Sequence, residues 1–134
     1  MLDDIKVHVR VKLSALWCSV MFCYIHGDYF ELYQPGKLQQ MLLGKTALGP
    51  ATQGMLTGMG AMMAIPSLMI FLSLVLPAQF SRWLNVVLGA AYTAIMILAM
   101  QGSWFYYIGF SLIECSLTLA IIWFAWTWPK RVVS

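Results

Sequence analysis

The sequence predicts an all-α, polytopic membrane protein, with 1–134 forming one bundle of four transmembrane helices and one longer extracytoplasmic loop. The 134 residues are 61% apolar and only 10% charged, whereas soluble domains are roughly 45–50% apolar and about 25% charged. Mean hydropathy is +0.78. The stretches 46–81 and 83–113 contain no charged residue. Nucleic-acid binding is excluded because the net charge of +3 forms no basic stripe.

The predicted helices cover about 11–30, 51–76, 83–100 and 105–127, each near the length of about 20 residues that crosses a bilayer. The first has the shortest charge-free core, because only 15 residues separate Lys12 from Asp28. Either Arg10 and Lys12 snorkel from a helix that starts earlier, or Asp28 lies below the outer surface. A cleaved signal peptide is the rival interpretation, although no small-x-small cleavage site follows the apolar run.

The segments between the helices have turn compositions. Gln101-Gly102-Ser103 separates the third and fourth helices, and Trp128-Pro129-Lys130-Arg131 ends the fourth. The connection over 29–50 has apolar residues between two Pro/Gly pairs. This pattern predicts either a short interfacial helix or lid over the bundle mouth, or a plain structural loop.

The basic residues predict the orientation. Lys37 and Lys45 lie on one side of the four spans, and the other six lie on the opposite side: Lys6, Arg10, Lys12, Arg82, Lys130 and Arg131. Because Lys and Arg collect on the cytoplasmic side, both termini are predicted to be cytoplasmic. An inner aromatic belt is predicted from Trp83, Trp123, Trp126 and Trp128.

Glu114 lies near the middle of the fourth predicted helix, where an ionised side chain costs on the order of 2.5–3.5 kcal/mol. No Lys, Arg or His occurs at similar depth, so Glu114 is expected to be protonated. One face of this helix carries Tyr107, Ser111, Glu114 and Thr118, and it should point into the bundle. The face predicts a ligand, proton or ion site. An interhelical hydrogen bond that only holds the bundle together is the alternative.

Pro66 falls inside the second predicted helix and removes the donor for the carbonyl of Met62. In lipid this carbonyl must find another donor. A neutral Glu114 or the hydroxyl of Tyr92 could supply it, since both lie at about mid-depth. A kink that serves packing alone is the alternative.

The outer end of the first helix carries His26 and Asp28, with Tyr24 one turn before Asp28. The spacing matches no metal motif, so no metal site and no cofactor are predicted. A mouth lined by carboxylates would favour cations or protonated amines. The candidate ligand or proton site therefore comprises Glu114, Tyr92, Tyr107, Ser111, Asp28, His26 and Tyr24, with no catalytic residue among them.

Six tracts carry a family resemblance: KLSALW, MFCYIHGDYFELYQPGKL, LGPATQG, MAIPSLMIFLSLVLP, RWLNVVLGAAYT and WFAWTWP. They resemble a family of small four-helix bacterial integral membrane proteins that carries only a domain-of-unknown-function label. The resemblance implies a bacterial cytoplasmic (inner) membrane location and no activity. The general plan is similar to DoxX-like proteins, some of which are tied to thiol or quinone redox. The three cysteines form no Cys-x-x-Cys pair, and this absence argues against a thiol redox role: Cys18, Cys23 and Cys115.

Four functions are compatible with these features. The first is a non-enzymatic module with an outward-facing pocket for a small amphipathic or lipid-like ligand. The second is a proton-coupled transporter that uses Glu114, with a homo-oligomer as its expected assembly. The third is a redox or quinone-linked membrane component, and the fourth is a structural subunit. An enzyme is the less favoured class, and membrane lipid is the expected surrounding partner.

Overall fold

The computed structural model describes residues 1–46 and 49–129. The elements in chain order are α1 (Val9–Glu31), α2 (Lys37–Leu42), β1 (Lys45–Thr46), β2 (Gly49–Pro50), α3 (Gln53–Val75), α4 (Ala78–Ala99) and α5 (Phe105–Trp126). The two short strands pair antiparallel. The basic residues Lys130 and Arg131, which the sequence places on the inner side, lie outside the described residues.

Within the described residues, three helices, α3, α4 and α5, are long and apolar enough to cross a membrane. Their outward faces carry large exposed apolar side chains such as Leu68, Phe71, Val87 and Leu119. A soluble protein rarely exposes so continuous an apolar surface. Helix α1 has the same length as α3, 23 residues or about 34 Å. Its composition is less apolar, and α1 is not among the helices that meet the criterion for a membrane span.

Helix α1 packs along both α3 and α5, and α4 packs along α5, whereas α3 and α4 make few contacts. The inward stripe of α1 is Val9, Leu13, Trp17, Val20, Tyr24 and Gly27, at spacings of three and four residues. The sparse contact between α3 and α4 leaves room for a cavity between these two helices.

Two arginines bond the last carbonyls of neighbouring helices. Arg10 donates to the carbonyl of Leu76 at 2.5 Å, where α3 ends. Arg82 donates to the carbonyls of Ala125 and Trp126 at 3.2 and 3.0 Å, where α5 ends. Cations favour helix C-termini because the free carbonyls there carry partial negative charge. The two contacts define one end of the four long helices, called the arginine end below.

Tryptophan rings accompany both arginines at the arginine end. The Arg10 guanidinium lies 5.3 Å from the ring centre of Trp128, and that of Arg82 lies 5.3 and 5.4 Å from the ring centres of Trp83 and Trp126. These are cation–π distances.

Arg82 is part of α4, because this helix begins at Ala78, five residues before the predicted start. Pro77 directly precedes this helix, where a proline's fixed φ and missing donor do no harm.

A fully buried polar cluster joins α1, α3 and α4 near the arginine end. The Trp17 indole donates to Oδ1 of Asn85 at 2.7 Å, and the Ser73 hydroxyl donates to the same atom at 3.4 Å. Asn85 in turn donates to the carbonyl of Ser81 at 2.8 Å. Each polar side chain has a partner, so the cluster holds the helices in register and leaves no free polar group.

Helices α4 and α5 approach each other closely at Gly89. A Cβ atom there would lie 2.9 Å from the Ile122 side chain and 3.3 Å from the carbonyl of Thr118. One turn further along α4, the hydroxyls of Thr93 and Thr118 share a hydrogen bond of 2.6 Å.

Candidate functional site

A cavity of about 210 Å³ lies between the four long helices, away from the arginine end. All four helices contribute to its lining. Its polar lining groups are Tyr24 and Asp28 of α1, and Tyr107 and Glu114 of α5. Helices α3 and α4 contribute apolar side chains, among them Met59, Met63 and Ile95. This space is called the Glu114 cavity below.

Glu114 is 4% exposed and lies near the middle of α5. Within residues 1–46 and 49–129, no hydrogen bond or ion pair to its carboxyl is present. The predicted inward face of α5 is confirmed, since Ser111, Glu114 and Thr118 are all buried and Tyr107 is half-buried. The carboxyl therefore faces a cavity and not a neighbouring side chain that would satisfy it.

Tyr24 is the second buried polar group of the cavity. Its side chain is 4% exposed, and its hydroxyl has no hydrogen-bond partner among the described residues. Asp28 follows one helical turn later on α1, lines the same cavity and is exposed at its edge. The spacing of four residues places both side chains on one face of α1.

A larger, more open cavity of about 700 Å³ adjoins the first, and four residues line both: Met62, Ile95, Ala99 and Tyr107. It is called the mouth cavity below. An ion pair between Lys37 of α2 and Glu31 of α1, at 2.9 Å, lies in its wall. The connection over 29–50 contains the short helix α2. Its first residue, Lys37, lines the mouth cavity that adjoins the Glu114 cavity.

The hydroxyl of Tyr92 donates to the carbonyl of Met62. This is the acceptor that Pro66 leaves without an intrahelical donor, so one of the two predicted donors is confirmed. Glu114, the other predicted donor, does not make this bond. Tyr92 does not line the Glu114 cavity. Its hydroxyl instead connects α4 to α3.

Two other predicted site residues lie apart from the cavity. His26 is exposed, bonds the carbonyl of Phe22 at 2.8 Å and stacks on the Phe22 ring. Residues 26 and 28 are separated by about 200° around a helix, so they cannot share the face that lines the cavity. Ser111 is buried but lies outside the lining.

The remaining chemistry-bearing residues form no further centre. Cys18 and Cys23 are half-buried, Cys115 is buried, and all three are free thiols. Within the described ranges, no three His, Cys, Asp or Glu side chains are grouped closely enough to hold a metal ion.

The methionines and Phe110, which line the cavity, were not predicted as site residues. Met59, Met63 and Phe110 line it from two helices. The inward face of α1 can be recognised in the sequence, because its buried residues recur at spacings of three and four residues. No comparable signal marks the methionines of α3, since that helix is apolar on every face.

These features define a class: a helical protein with three helices able to cross a membrane and with a buried carboxyl in an internal cavity. The chain belongs to the family of unknown function DUF6326, whose model matches residues 4–134. No curated protein and no solved structure matches the chain. The predicted resemblance to a family labelled only as of unknown function is confirmed, whereas the likeness to DoxX-like proteins stays a prediction.

Proposed function

We propose that the chain is a non-enzymatic membrane module that holds a small amphipathic molecule in the Glu114 cavity. One observation carries the proposal: the buried hydroxyl of Tyr24 has no hydrogen-bond partner among the described residues, and the carboxyl of Glu114, 4% exposed and outside any described ion pair, lines the same cavity. Buried polar groups in proteins are nearly always hydrogen-bonded. A ligand with a polar end would supply the missing bonds, and its apolar part would contact the methionines.

The membrane topology we propose has four spans, with α1 crossing beside the three apolar helices. Its first turn supports this, because Arg10 reaches the end of α3 and the Lys12 ammonium lies 5.2 Å from the Phe124 ring centre. Long basic side chains at a span's end can extend in this way towards the interface. The three basic residues at the arginine end, Arg10, Lys12 and Arg82, support cytoplasmic termini in a bacterial inner membrane.

A binding module fits the geometry better than a transporter. The Glu114 cavity adjoins the mouth cavity on one side, whereas the buried cluster around Asn85 fills the space towards the arginine end. Transport requires alternating access to both sides, and a satisfied hydrogen-bond cluster opposes opening there. Uptake of an amine into proteoliposomes that is driven by a pH gradient and abolished by Glu114→Gln would instead establish the proton-coupled transporter.

The test uses three probes with similar bodies: 2-phenylethylamine, 2-phenylethanol and 3-phenylpropionate. Equilibrium dialysis against the purified full chain in lipid nanodiscs measures saturable binding, with empty nanodiscs as background. We expect at least one probe to bind at one site per chain. Ala99→Phe should remove this binding, because Ala99 lines both cavities and a phenyl ring would fill the passage.

The matched control is Ala90→Phe, which adds the same ring to an exposed position of α4 outside both cavities. It should leave binding unchanged. Absence of saturable binding for all three probes, or binding that survives Ala99→Phe, would contradict the proposed function.

A further inference from the structure

We infer that the molecule held in the Glu114 cavity is a small cationic monoamine whose ammonium group bonds the carboxylate of Glu114. The inference rests on the proposed function and narrows its ligand to one chemical class. Three features of the cavity lead to it: the charge of the lining, the unpartnered acceptors and the available volume.

The lining of the Glu114 cavity contains two carboxyl groups, those of Asp28 and Glu114. Among the described residues that line it there is no Lys, Arg or His. Among the described residues that line the adjoining mouth cavity, the one cation is Lys37, which is already paired with Glu31. An anionic ligand would add like charge to the carboxyl groups. A bound ammonium would supply the countercharge that this lining lacks, and it would thereby stabilise the ionised form of Glu114, which is expected to be protonated without a ligand.

The number of acceptors also matches an ammonium group. A primary ammonium has three N–H donors. Three groups of the lining can accept from it: the carboxylates of Glu114 and Asp28 and the hydroxyl oxygen of Tyr24. The Tyr24 hydroxyl has no other partner within the described part of the chain. A neutral alcohol carries a single O–H donor and would satisfy only one of these three acceptors.

The volume sets the size of the ligand. A cavity of about 210 Å³ has room for roughly seven groups of the size of a water molecule. A phenyl ring with a two-carbon amine or a short alkylamine has about this size, and a longer tail could continue into the mouth cavity. Met59, Met62 and Met63 form much of the wall on α3. Because methionine side chains are flexible and polarisable, they would accept more than one body shape.

The same dialysis experiment tests the amine. We expect 2-phenylethylamine to bind about 10- to 100-fold more tightly than 2-phenylethanol, the range of a charge-assisted hydrogen bond converted to affinity. Glu114→Gln should reduce amine binding to the level of the alcohol. Asp4→Asn removes a carboxyl from the exposed N-terminal segment and should change neither affinity.

A comparison within the wild-type protein keeps the inference testable if Glu114→Gln fails to fold. N-acetyl-2-phenylethylamine keeps the body but has no charge, and we expect it to bind at least about tenfold more weakly than the free amine. The amine inference is overturned if the amine and either neutral probe bind with equal affinity at the site that Ala99→Phe blocks. The proposed function stands in that case, because a ligand still binds in the cavity. If no probe shows binding that Ala99→Phe removes, the proposed function itself fails.

Discussion

In the middle of α3, Pro66 leaves the carbonyl of Met62 without its helical donor, and the Tyr92 hydroxyl of α4 donates to it. Tyr92→Phe removes this one hydroxyl and keeps the ring, which lies edge-on to Trp17 with ring centres 6.2 Å apart. An interhelical hydrogen bond in a membrane averages about 0.6 kcal/mol and reaches about 1.7 kcal/mol. Since the carbonyl has no alternative donor in its own helix, we expect a loss of about 1 kcal/mol, or roughly fivefold in the unfolding equilibrium.

A double-mutant cycle with Pro66→Ala isolates the bond. Alanine restores the backbone N–H that can bond the carbonyl of Met62, so the Tyr92 hydroxyl is no longer its sole donor. In that background Tyr92→Phe should cost less than half as much, which gives a coupling energy of about 0.5–1 kcal/mol. Reversible unfolding in mixed micelles by titration with sodium dodecyl sulfate, followed by tryptophan fluorescence, measures the four free energies.

Tyr24→Phe is the matched control, because Tyr24 is as buried as Tyr92 but its hydroxyl has no partner among the described residues. Removing an unpaired buried hydroxyl should be neutral or stabilising in the protein without ligand. The reasoning is refuted if Tyr92→Phe costs the same with and without Pro66, or if Tyr24→Phe costs as much as Tyr92→Phe.

Three further outcomes are expected. Gly89→Ala should destabilise by about 1–3 kcal/mol, because its Cβ would lie 2.9 Å from a side chain of α5, whereas Gly58→Ala, with open space at that position, should be neutral or stabilising in the same unfolding titration. Equal effects of the two substitutions would contradict this close approach. Asn85→Ala should cost about 1–2 kcal/mol because the indole of Trp17 loses its acceptor, and a loss below about 0.3 kcal/mol would show that the buried cluster does not hold the helices. In a variant whose only thiol is Cys115, a water-soluble maleimide should label the protein in liposomes far more slowly than the denatured protein, because this thiol is buried. Mass spectrometry of samples taken over time measures the labelling rate. Labelling at equal rates would reveal a water path to the level of Glu114.

The sequence predicted those parts of the fold that depend on the residues of one helix alone. The charge-free stretches located α3, α4 and α5, and the spacing of polar residues identified the inward face of α5. Pro66 alone indicated that the carbonyl of Met62 needs an outside donor. Such inferences succeed because helical periodicity and the missing proline donor are fixed by local covalent geometry.

Contacts between helices had to come from the tertiary structure. It decided that Tyr92 and not Glu114 bonds the carbonyl of Met62, and that Asn85 accepts from Trp17. It also decided that the face of α1 with Asp28, and not the face with His26, lines the cavity. The sequence fixes which residues share a helix face, but the rotation and shift of one helix against another depend on how all side chains at the contact pack together.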